Sequence, residues 1–62
     1  MNTDHLRKEF EEILGYEERA KSFYDHYIEQ VDDEKIKQTL SEIRDDEKRH
    51  IQIAKKLIEL VS

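Results

Sequence analysis

The sequence predicts an all-α chain, an antiparallel helical hairpin that dimerises into a four-helix bundle. Three observations point there. Two apolar stripes of equal length recur at spacings of four and three residues, the chain has no proline and one glycine, and an acidic break separates the stripes. Spacings of four and three put side chains on one face of a helix. The lack of proline removes the strongest internal interruption.

The first helix is expected over residues 4–31. Leu6, Phe10, Ile13, Glu17, Ala20, Tyr24, Tyr27 and Val31 follow one another at alternating steps of four and three. The flanking Glu, Lys, Arg and Gln residues are good helix formers. Gly15 lies inside this arm, where glycine costs about 1 kcal/mol against alanine. It marks a bend or a close backbone approach, and the sequence does not choose between them.

The break is Val31-Asp32-Asp33-Glu34, across which the stripe slips to a spacing of five. Asp32 or Asp33 can accept hydrogen bonds from the free amides of the next helix. Glu34 adds a favourable charge at that positive end. One continuous helix in a coiled coil is the rival arrangement, because neither glycine nor proline fixes the turn.

The second helix is expected over residues 34–61. Ile36, Leu40, Ile43, Glu47, His50, Ala54, Leu57 and Val61 repeat the same spacing. Leu14, Phe23, Ile28, Ile51, Ile53, Ile58 and Leu60 lie beside the two stripes and widen both apolar faces. Two helices alone cannot enclose a core, but two hairpins can.

Composition narrows the function. A single unit of 62 residues is marginal alone. Chains of this size need disulfides, a metal or a partner, and there is no cysteine. Association, a metal without thiolate ligands, or both must supply the rest, so at least a homodimer is expected. Charged residues are 44% of the chain and the net charge is -5. No basic patch suits nucleic acid, no apolar run suits a membrane, and no secretory apolar stretch opens the sequence. The cytoplasm is the expected compartment.

Glu17 interrupts the first stripe, and Glu47 and His50 interrupt the second. A lone buried carboxylate is costly, so three such residues need a joint reason. Glu17 precedes Asp32 by fifteen residues and Glu47 follows it by fifteen. An antiparallel hairpin therefore sets them at one height, with His50 one turn farther along. A two-fold copy would gather four carboxylates and two imidazoles, a suitable set for two metal ions. Glu47 is the natural bridging ligand, Glu17 the terminal one and His50 the nitrogen donor. Iron, manganese, cobalt or zinc fits such ligands.

Glu47-Lys48-Arg49-His50, with Glu17 upstream, resembles the Glu-x-x-His arrangement of the ferritin-like di-iron superfamily, which includes rubrerythrin and ferritin. Tyr24 stands seven residues after Glu17, where that superfamily places a tyrosine near its metals. The chain is most similar to the short two-helix encapsulated ferritin-like proteins. That resemblance implies a ferritin-like bundle and two iron ions per dimer, held by Glu17, Glu47 and His50. It implies a ferroxidase that oxidises Fe(II) with oxygen or peroxide at a site between subunits. Tyr24 would support the centre by hydrogen-bonding a ligand carboxylate. Higher assembly inside an encapsulin compartment would follow, although the usual additional C-terminal helix and a docking tail are not recognisable.

Two other classes stand beside the ferroxidase. One is a non-catalytic metal-binding or dimeric interaction module, and the other is a metal-free coiled-coil adaptor. Glu18 competes with Glu17 for the inward place. Asp46, His5 and His26 are expected at the surface.

Overall fold

The computed structural model describes residues 3–62, which form two antiparallel helices. Helix α1 spans Thr3–Gln30 and helix α2 spans Glu34–Val61. The first starts and ends one residue before the expected limits, and the second matches them. Among the described residues, no helix is long and apolar enough to cross a membrane.

Three residues make the link, and Asp33 decides where α2 begins. Its backbone is extended, with φ -74° and ψ 121°. Its Oδ1 accepts hydrogen bonds from the amides of Lys35 at 2.9 Å and Ile36 at 3.0 Å. Two amides left free by helix geometry are thereby satisfied. On the other side, the Val31 amide still donates to the Tyr27 carbonyl at 3.1 Å, closing the last turn of α1. At the far end of α2, the Ser62 hydroxyl donates to the Ile58 carbonyl at 2.6 Å.

Gly15 interrupts nothing, since α1 runs unbroken through it. A Cβ there would meet the guanidinium end of Arg19 at 3.2 Å and no residue of α2. Neither helix packing nor backbone conformation requires a glycine.

The molecule is a rod of 48 × 14 × 12 Å. The seam keeps alternate positions of the expected stripes, Glu17 and Tyr24 on α1 and Glu47 and Ala54 on α2 among them, and elsewhere also takes in their neighbours. Leu14, Lys21 and Ile28 from α1 are half-buried, as are Arg44, Ile51 and Ile58 from α2. Ile13, Tyr27 and Ile36, all on the stripes, are exposed. The reason is geometric. At 100° per residue each apolar face spans roughly half the helix circumference, and one neighbour covers only part of it.

What remains uncovered is large. Ala54 is the one buried residue among those described, and Tyr16, Phe23, Ile53 and Leu60 are more than half exposed. The hairpin exposes 5006 Å². A compact monomer of 7.6 kDa exposes about 4,300 Å². The opposite edge of the seam is polar. Arg44 reaches across from α2 to Asp25 at 3.2 Å there.

Candidate metal centre

Glu17 comes from α1, and Glu47 and His50 come from α2. The hairpin brings them level. One ligand atom from each of the three lies within 4.8 Å of the other two. His50 Nδ1 is 3.4 Å from Glu17 Oε2 on the facing helix and 3.7 Å from Glu47 Oε1 one turn back. Two donors each about 2.1 Å from one ion stand roughly 3.0–3.4 Å apart. These separations thus approach those of ligands around a shared ion.

The carboxylates form the floor and the imidazole the rim. The Glu47 and Glu17 side chains are 16% and 24% exposed, against 48% for His50. Glu18 is exposed, so Glu17 supplies the inward carboxylate. Ile13, Ile53, Ala54 and Leu57 join Glu17 and His50 around a shallow depression. The centre therefore opens onto the uncovered apolar side of the rod.

Glu47 carries the electrostatic signature. Its pKa is raised, first by proton sharing with the Glu17 carboxyl, then by burial and by the charge of Glu17; His50 acts in the opposite direction. Glu47 Oε2 is buried and receives no donor. Such an oxygen costs about 1–3 kcal/mol unless something satisfies it. A cation would take the place of the shared proton and satisfy the buried oxygen. Two carboxylates and a neutral imidazole fit a divalent first-row ion, and the orphaned oxygen gives that fit a physical motive.

Tyr24 is half-buried two turns from Glu17, and its hydroxyl makes no hydrogen bond among the described residues. Asp46 is at the surface, paired with Arg49 at 2.6 Å. His5 pairs with Glu9 at 3.0 Å, and His26 packs edge-on to Tyr27 at 5.7 Å.

One group on the polar edge of the seam escaped the sequence reading. Asp25 accepts hydrogen bonds from Lys21 Nζ at 2.7 Å and from Arg44 Nη1 at 3.2 Å. Those bonds, Lys21 first, hold its carboxyl below the usual range. The four-residue spacing of Lys21 and Asp25 signals half of this arrangement. The Arg44 half depends on the hairpin register.

No protein-family model, curated protein or solved structure matches this chain.

Proposed function

We propose that this chain is a metal-binding helical module, in which Glu17, Glu47 and His50 hold a divalent transition-metal ion. The observation that carries this reading is the convergence of three ligand atoms from two helices within 4.8 Å. Glu17 and Glu47 offset the charge of the ion, and His50 adds a neutral nitrogen donor. Ile13, Ile53 and Leu57 reduce access of water to one side. A second copy of the chain covers the open apolar side. In support, the surface excess over a compact monomer is roughly 700 Å², close to the ~800 Å² per partner of a standard interface.

Metal titration of the chelator-treated protein tests the reading, with molecular mass measured alongside. The expected result is one ion per chain in a dimer, with binding lost in Glu47→Ala and His50→Ala. Wild-type protein that binds no more metal than these variants overturns it.

A second reading makes the module a ferritin-like ferroxidase. What favours it is the opening of the site onto the apolar side, where a two-fold copy would bring a second triad alongside the first. Fe(II) is then the substrate, and the bound iron supplies electrons to oxygen or peroxide. Anaerobic Fe(II) loading followed by oxygen should produce ferric absorbance that Glu47→Ala abolishes. Binding without oxidation leaves the metal a structural role. Higher assembly and an encapsulin shell belong to this second reading alone, and the mass measurement addresses the assembly.

A further inference from the structure

The two carboxylates of the centre have cations as helix neighbours. Lys21 follows Glu17 by four residues on α1, and Arg44 precedes Glu47 by three on α2. Both spacings allow side chains to meet, and a glutamate four residues before a lysine is the favoured order. Even so, neither cation is ion-paired with its neighbouring glutamate. Lys21 turns the other way, in the less favoured order, and donates to Asp25 Oδ2 at 2.7 Å. Arg44 crosses the seam and donates to Asp25 Oδ1 at 3.2 Å, while its Nε donates to Asp45 at 3.1 Å. Each oxygen of Asp25 is therefore occupied by one cation. Glu47 Oε2 has no donor.

We propose that Asp25 is a positioning residue for the metal centre: it captures Lys21 and Arg44 and so keeps the oxygens of Glu17 and Glu47 available to a divalent cation. The proposal rests on the metal-binding reading. An ammonium or guanidinium on a ligand carboxylate would occupy the lone pairs a metal needs. It would also cancel the negative charge that attracts the ion. Asp25 prevents both by giving the two cations a common anion on the polar edge, away from the open face. Its partners come from both helices, so the capture depends on the same register that levels Glu17 with Glu47.

The test is Zn(II) titration of the metal-free protein against a chromophoric chelator. Asp25→Asn keeps the shape and removes the charge. Zinc affinity should fall about threefold to tenfold as Lys21 and Arg44 turn to Glu17 and Glu47. Adding Lys21→Met and Arg44→Met to Asp25→Asn should restore it to within about twofold of wild type. A purely structural role for Asp25 would not produce that rescue. Circular dichroism establishes whether helix content is equal across the set. Unchanged affinity in Asp25→Asn, or a loss that the triple variant does not recover, overturns the proposal.

Failure of the metal-binding reading would look different: the wild type would bind zinc no better than Glu47→Ala. The capture itself is decided without metal, by nuclear Overhauser contacts in the apoprotein. The Lys21 ε-methylene should approach the Glu17 γ-methylene in Asp25→Asn and not in wild type. Identical contacts in both proteins overturn the capture.

Discussion

Replacing Glu47 by leucine should strengthen the metal-free fold while removing the metal site. The Glu47 side chain is only 16% exposed, and its Oε2 has no donor. Removing an unsatisfied buried oxygen recovers about 1–3 kcal/mol. Leucine adds apolar burial of similar size, less whatever strain its branched shape causes in a site built for a straight chain. A net gain of about 1–3 kcal/mol is expected in chelator-treated protein. For so short a chain each kcal/mol moves Tm by about 4–8 °C, so the shift is easily measured. Thermal melts at one fixed chain concentration are the assay, since the proposed association would make Tm concentration-dependent. Zinc at about one hundred times its Kd should stabilise wild type by about 2.7 kcal/mol and leave Glu47→Leu unmoved. A metal-free variant that melts below wild type would refute the cost assigned to the orphaned oxygen. Equal zinc shifts in both proteins would refute the ligand role.

Three further outcomes follow from the geometry. Asp33→Ala removes the acceptor for the Lys35 and Ile36 amides and should cost about 1 kcal/mol in urea denaturation, since water replaces the cap only in part. Gly15→Ala should stabilise α1 by about 0.5–1 kcal/mol in the same assay, because the new methyl meets only the movable end of Arg19. The Asp25 pKa is lowered in the folded state, so its contribution is present above the unfolded value and lost as pH falls through the folded one. The stability difference between wild type and Asp25→Asn should accordingly be present at neutral pH and shrink as acid passes below the ordinary value of 3.8; a difference that is flat with pH would contradict this.

The two arms, their boundary and the levelling of Glu17 with Glu47 are all legible in residue spacing. A 4-3 period and a count of residues either side of the link suffice. The choice between Asp32 and Asp33 is not legible, because either can cap; the extended backbone at Asp33 decides it. The line of contact between the helices is legible where it keeps Glu17, Tyr24, Glu47 and Ala54 of the stripes, and hidden in between. It passes through Lys21 and Arg44, whose charges make that row look like surface in a pattern of apolar residues. Their long stems pack at the seam while their charged ends meet Asp25. That meeting needs the hairpin register and the side-chain geometry, neither of which a one-dimensional pattern carries. Gly15 illustrates the opposite limit. Its composition signal is conspicuous, yet α1 runs unbroken through it and no residue of α2 comes close.

Ala54 is the sole described residue that the hairpin hides from water by itself. A polypeptide with so little private interior has weak reason to hold its shape in isolation. On the proposal that a second copy covers the open side, order is borrowed from that copy and obeys mass action. Diluting the chain should melt it at constant temperature, and raising its abundance should speed the appearance of helix. The number of working sites would then climb more steeply than the amount of polypeptide made. Synthesis level alone could set a threshold below which the chain stays unstructured, with no dedicated regulatory element.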